Sequence, residues 1–178
     1  MKKLTNKSYI WQKNKMQVSK NKVVTVTYDL HSNLPGDKKN HVETADNKNP
    51  LSFIFGLGMM IPGFEKALDG KSPGEKFDFS LDSNDAYGNK EDKAIIKLPI
   101  DIFKQDGVLN MELLQVGKVL PLNDSEGNIL NGKIMSYDSG SVTMDFNHPL
   151  AGHHLHFTGE VLDVREASPE ELDHGHVH

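Results

Sequence analysis

Apolar and polar positions first alternate at Val23-Val24-Thr25-Val26-Thr27-Tyr28, a β-branched run that predicts a strand with Val24, Val26 and Tyr28 on one face. From Leu34 to Pro50 the chain is polar and rich in turn formers, which predicts a long surface loop. Leu51 to Ile61 is the most apolar window. Pro62 then opens a short predicted helix ending near Asp69, with proline in its first turn and Gly70 just past its end. Phe64, Ala67 and Leu68 share its apolar face. Alternation returns between Glu75 and Leu81, with Phe77, Phe79 and Leu81 on one side.

The texture changes at Ile95. Ile95, Ile96, Leu98, Ile100, Ile102 and Phe103 crowd together, and the stretch from Val108 to Val116 is rich in Leu, Met and Val. Strands are predicted from Lys118 to Leu122, Asn128 to Ser136 and Ser141 to Phe146. The polar, glycine-bearing turns between them (Asp124-Ser125-Glu126-Gly127 and Asp138-Ser139-Gly140) suit an antiparallel meander. A last strand runs from Leu155 to Val164, with Leu155, Phe157 and Val161 in phase and a slip at Leu162 and Val164 that predicts a bulge or a strand covered on both faces. Ser168-Pro169-Glu170-Glu171 has the form of a capping box and starts a C-terminal helix. The pattern is mostly β with short helices, and it holds no repeat.

Composition narrows the chemistry. The chain has 178 residues, 37% hydrophobic and 25% charged, with no stretch long and apolar enough to cross a membrane as a helix. It has no cysteine, which excludes a disulfide scaffold, a thiol nucleophile and thiolate-ligated metal. The net charge of −5 is uneven: residues 1–22 hold seven lysines and no acid, leaving −12 on the rest. A mobile, solvated basic extension over 1–22 is the expected reading, with phosphate or anionic lipid as a weaker alternative. Met1-Lys2-Lys3-Leu4 is followed by polar residues rather than an apolar core, so a signal peptide is not expected and the cytoplasm is the default location. No nucleophile elbow, zinc-protease helix or P-loop signature is present, and Gly56-x-Gly58 lacks the third glycine of a dinucleotide loop.

The block from Phe53 to Tyr87 is the most informative, although composition alone would make it a plain core. Ile61-Pro62-Gly63-Phe64-Glu65, Gly74-Glu75-Lys76 and Asp85-Ala86-Tyr87-Gly88 resemble the signature of the FKBP-type peptidyl-prolyl cis-trans isomerases. Leu98-Pro99-Ile100-Asp101-Ile102-Phe103, Leu114-Gln115-Val116-Gly117, the run from Asp145 to Gly152 and the ending from Glu170 to His178 resemble the SlyD branch, in which a chaperone domain is inserted in the flap. The resemblance covers roughly residues 16–178.

It implies an α+β, mostly β fold: an antiparallel half-barrel sheet around a short helix, with an inserted small β-rich domain. The implied organisation is a basic extension over 1–22, an isomerase domain over 23–94 plus 147–167, an insert over 95–146, and a short helix with a histidine-containing tail over 168–178. Position by position, the implied cleft residues are Tyr28, Glu43, Phe53, Met60, Ile61, Phe64, Tyr87 and Phe157. Phe64 would be the floor, and Tyr28 and Phe157 the walls. Met60 and Ile61 would lie where a backbone N–H meets a substrate carbonyl, and Tyr87 would donate its hydroxyl. Glu43 stands where the family usually has aspartate, one methylene further out, so its reach to the Tyr28 hydroxyl is left open. The implied activity is isomerisation of X-Pro bonds in unfolded or nascent polypeptides, with no cofactor and a monomeric enzyme. The alternatives are a chaperone with little turnover and a nickel-type metal-binding accessory protein that meets metalloprotein maturation factors. Membrane and nucleic acid are not expected partners.

Histidine remains. His154 and His156 alternate with Leu155 and Phe157 and should point away from the cleft; His174, His176 and His178 recur at every second position. Imidazoles suit Ni²⁺, Cu²⁺ and Zn²⁺. Surface histidines without metal are the alternative, but the family's metal-binding habit favours a tail site, with His154 and His156 as further candidates. The longer histidine tail of many relatives does not follow His178, so high-capacity nickel storage is not expected.

Overall fold

The structure, a computed structural model, describes residues 16–105 and 107–178. In chain order the elements are β1 (Lys22–Asn33), β2 (Asn40–Ala45), β3 (Leu51–Ile54), α1 (Pro62–Leu68), β4 (Lys76–Leu81), β5 (Ile95–Pro99), β6 (Lys104–Gln105), β7 (Val108–Leu109), β8 (Val119–Asn123), β9 (Ile129–Tyr137), β10 (Ser141–Asp145), β11 (His154–Glu166) and α2 (Pro169–His174), with three short 3₁₀ turns. The fold is α+β and mostly antiparallel β. Its described residues divide into two compact units: 16–88 with 152–178, and those within 89–151.

In the first unit the strand order is β2-β1-β11-β4, and β3 also pairs with β1. The long strands β1 and β11 pair along their whole length, Lys22 opposite Glu166 and Asn33 opposite His154. The phase slip near Leu162 is a β-bulge: Thr25 pairs with Asp163 and Val26 with Val161, so Leu162 has no opposite number. The bulge lets Val161 and Val164 both be buried although they are three residues apart. α1 has too few residues to be stable alone and depends on burying Phe64 and Leu68. Its glycine has a packing reason: a Cβ on Gly63 would lie 2.7 Å from both the Asp85 carbonyl and the Leu81 side chain. The capping box is present, with the Ser168 hydroxyl accepting from the Glu171 N–H and the Glu171 carboxylate accepting from the Ser168 N–H.

Two expectations change. The segment read as one loop from Leu34 to Pro50 contains β2, an edge strand paired with β1. Residues 40–44 are all exposed, so no apolar alternation marked it. Residues 16–22, expected as the end of a mobile extension, are anchored at Val18. Val18 is buried, its N–H donates to the Lys71 carbonyl at 2.8 Å, and its own carbonyl accepts from Gly70 at 2.9 Å. The rest of that expected extension, residues 1–15, lies outside the described residues.

The second unit contains a four-stranded antiparallel sheet, β5-β10-β9-β8, in which β8, β9 and β10 form a meander, and the two-stranded β6-β7. Its core is aliphatic: Ile100, Leu114, Leu120, Ile134, Val142 and Met144, with Phe103. Both predicted turns form through aspartate. Asp138 accepts from the Gly140 and Ser141 N–H groups, and Asp124 from those of Glu126 and Asn128. The expected 95–146 stretch lies inside this unit. The flanking residues are tied in by Asn147, whose side chain accepts from the Glu91 N–H at 2.8 Å and donates to the Glu91 carbonyl at 3.1 Å.

Candidate active site and histidine clusters

Phe64, on the buried face of α1, is fully enclosed by rings supplied by the sheet. Its centroid lies 4.9 Å from Phe157, 5.8 Å from Phe79, 6.0 Å from Tyr28 and Phe53, and 6.1 Å from Phe77, all in edge-to-face geometry. Such pairs contribute about 0.5–1.5 kcal/mol each beyond area burial. The sheet period explains the convergence: Tyr28, Phe53, Phe77, Phe79 and Phe157 sit on inward positions of four strands around one helix, Phe77 and Phe79 both on β4. Phe53 is fully buried, Phe157 nearly so, and Tyr28 is half-buried.

The Tyr28 hydroxyl donates to Glu43 Oε1 at 2.6 Å, so the extra methylene does not break the contact. β2 makes this possible, because it sets Glu43 opposite Leu30 on the strand next to Tyr28. Burial first, then the hydrogen bond and charge of Glu43, push the Tyr28 pKa far above its ordinary value near 10. Tyr87 is 37% exposed and is also shifted upward, by burial and then by the Glu43 charge. Both hydroxyls therefore keep their protons through the neutral range. Tyr87 is presented by a 3₁₀ turn, Ser83–Asp85, whose first N–H groups are capped by Asp82. Gly88, at φ 73, closes that turn by donating to the Ser83 carbonyl.

Met60 and Ile61 are half-exposed in the connection between β3 and α1. The Ile61 carbonyl accepts from Phe64 and Glu65, while its N–H has no acceptor among the described residues. The structure thus brings Tyr28, Glu43, Phe53, Phe64 and Phe157 into direct contact or one ring away, with Tyr87 within electrostatic range of Glu43. Phe79 was missing from the expected set. It stacks on Phe157 at 5.4 Å and 27°, and its signal was the alternation with Phe77 and Leu81 on the same strand.

The tail histidines gather at the end of α2. The ligand atoms of His174, His176 and His178 lie within 4.8 Å of one another, and His174 Nδ1 is 3.0 Å from His178 Nε2. Gly175, in the left-handed region at φ 70, turns the chain back. Glu171 fastens the turn: it accepts from Arg165 at 2.7 and 2.8 Å and from the His178 N–H at 3.1 Å. These donors hold its carboxyl well below the usual range, Arg165 first, then the backbone N–H groups of Ser168 and His178. The trio can hold a metal ion by its chemistry and spacing. His154 and His156 do not join it: His156 pairs with Asp78 at 2.8 Å, and His154 is exposed on β11.

Residues 14–101 match the family model described as FKBP-type peptidyl-prolyl cis-trans isomerase. Several curated relatives carry the name FKBP-type peptidyl-prolyl cis-trans isomerase SlyD. Those of Escherichia coli K12 and Haemophilus influenzae are each 35% identical over 92% of this chain, which covers 78% and 80% of their lengths. The Vibrio cholerae protein is 32% identical over the same share, covering 76% of its length. Fold and comparisons together define a prolyl isomerase, an enzyme acting on proline-containing polypeptides. The chain belongs to the FKBP-type peptidyl-prolyl cis-trans isomerase family, alongside relatives named SlyD. Among the described residues no helix is long and apolar enough to cross a membrane.

Proposed function

We propose that the prolyl bond is twisted over the aromatic cluster centred on Phe64, and that residues 89–151 hold unfolded chains for it. The barrier to X-Pro rotation, about 18–20 kcal/mol, comes from amide resonance. The planar amide is the more charge-separated form, so a dry apolar surface favours the twisted one. The Phe157 and Tyr28 rings supply that surface, and Glu43 orients Tyr28. The Ile61 N–H binds the substrate carbonyl, and Tyr87 donates a hydrogen bond to the substrate. No group must gain or lose a proton, which agrees with two tyrosines whose pKa values are raised.

The holding role rests on exposed apolar surface. Eleven of the seventeen large hydrophobic side chains exposed among the described residues belong to residues 89–151. Ile96, Leu98, Ile102, Leu122, Leu130 and Phe146 line a groove of about 520 Å³ there. A contiguous apolar surface of this kind binds other chains. The tail trio is assigned a weaker role, binding one Ni²⁺, Cu²⁺ or Zn²⁺ ion.

The observation that carries the isomerase reading is the enclosure of Phe64 by five rings directly beside the Tyr28–Glu43 bond. An NMR exchange assay on an X-Pro peptide tests it. Catalysis is expected in the intact protein and a large loss in Phe157→Ala; a rate equal to the uncatalysed one would refute it.

A further inference from the structure

Glu65 touches both ends of the connection from β3 to α1. Its side-chain Oε1 accepts from the Gly56 N–H at 3.2 Å, and its own N–H donates to the Ile61 carbonyl at 3.3 Å. One residue thus closes residues 56–61 into a compact surface loop whose ends are held together. The stem of the loop is fixed from the other side. The Phe55 N–H donates to the Lys22 carbonyl at 2.8 Å, and the Phe55 carbonyl accepts from the Asn21 N–H at 3.0 Å. Between these anchors Gly56 and Gly58 turn in the left-handed region, at φ 82 and 74. Leu57, Gly58 and Met59 are exposed, so little packing holds the loop from outside.

The far end of this loop is Ile61, the residue that precedes the first turn of α1. No side chain caps the helix there, and the Ile61 N–H has no acceptor among the described residues. A carboxylate in a first turn can reach back to such an N–H and occupy it. Glu65 engages Gly56 instead, which leaves the Ile61 N–H open to a ligand. A donor that must meet one carbonyl depends on where its loop is held: a misplacement of about 1 Å at a reacting site can cost roughly 100-fold in rate.

We propose that Glu65 is a positioning residue for the isomerase reaction: by tying Gly56 to α1, it holds the loop so that the Ile61 N–H is aimed at the substrate carbonyl. This role rests on the reading that the Ile61 N–H binds that carbonyl. Glu65 acts through Ile61 rather than on the substrate. It follows Phe64 on the same short helix, so the buried ring and the open donor are fixed by one element. The planar and the twisted amide both present the carbonyl to the N–H, so losing the alignment weakens binding of both and shows in KM more than in kcat.

The full chain is compared with Glu65→Ala, which removes the acceptor, and with Glu65→Gln, which keeps an amide oxygen at the same reach. Glu65→Ala should raise KM for an X-Pro peptide about tenfold and change kcat less than twofold. Glu65→Gln should bring KM back to within threefold of the unchanged protein. In ¹⁵N-labelled protein the Ile61 amide resonance should move downfield on addition of the same peptide, and at equal saturation that movement should shrink by at least half in Glu65→Ala. Unchanged KM in Glu65→Ala, a loss in Glu65→Gln as large as in Glu65→Ala, or an Ile61 movement of equal size in the unchanged and Glu65→Ala proteins would overturn the positioning role and leave the Ile61 reading standing. No movement of the Ile61 resonance in the unchanged protein would overturn that reading, and the role of Glu65 with it.

Discussion

The first unit closes its largest side chains around Phe64, with Phe53, Leu68, Val24 and Val26 fully buried as well. The second unit surrounds Ile134, Val142 and Met144 with a thin aliphatic core and leaves Val108, Val116 and Ile129 about 70% exposed. A closed aromatic cluster fixes geometry, because each ring limits its neighbours and one misplaced side chain is felt by all. An open apolar groove lined by isoleucine, leucine and Phe146 recognises little beyond apolar character. Catalysis needs the first property and binding of unfolded polypeptide the second. This contrast is what the proposed division of the two tasks between different parts of one molecule rests on.

The largest effect that would break this assignment is at Phe157. Phe157→Ala should lower kcat/KM on an X-Pro peptide about 100-fold, roughly 2.7 kcal/mol of barrier. Phe157→Leu, which keeps most of the apolar volume, should lose less than tenfold, and the pair separates closure of the surface from loss of fold. Next in size is the groove. Leu130→Asp combined with Ile96→Asp should slow catalysis of a proline-limited refolding reaction about tenfold, measured by fluorescence, while peptide turnover stays within twofold. Tyr87→Phe sharpens the first half: one hydrogen bond at about 1 kcal/mol predicts a fivefold loss by the same exchange assay. Turnover of the unchanged enzyme should be flat from neutral pH to about pH 9, because both tyrosine pKa values are raised above their ordinary value near 10.

The smallest predicted effect lies at α2, away from both tasks. The Glu171 pKa is depressed, so the stability it contributes is present above the ordinary glutamate value of 4.5 and is lost as pH falls below it. Thermal melts should show a decline on acidification that Glu171→Gln flattens, with peptide turnover at neutral pH unchanged.

Much of the fold was legible because its elements announce themselves by period. β1, α1, β4 and the capping box at Ser168 follow from alternation, proline placement and spacing, and the slip at Leu162 left a bulge or a doubly covered strand open, between which the register decides for the bulge. β2 was illegible because an edge strand exposed on both faces has no apolar phase. The packing of Val18 was hidden in a lysine-rich stretch whose charge suggested a mobile arm. The site residues came through a resemblance rather than a period. Phe79 was overlooked because a third phenylalanine on an alternating strand reads as core until its stacking on Phe157 is seen.

The division of labour is tested most directly by replacing residues 89–151 with a short connection and measuring two rates on the same preparation. Turnover of a short X-Pro peptide should stay within threefold of the intact protein, because the Phe64 cluster lies wholly in the first unit. Catalysis of a proline-limited refolding reaction should fall at least tenfold. Equal refolding rates for the two proteins, or peptide turnover lost together with refolding activity, would contradict the account.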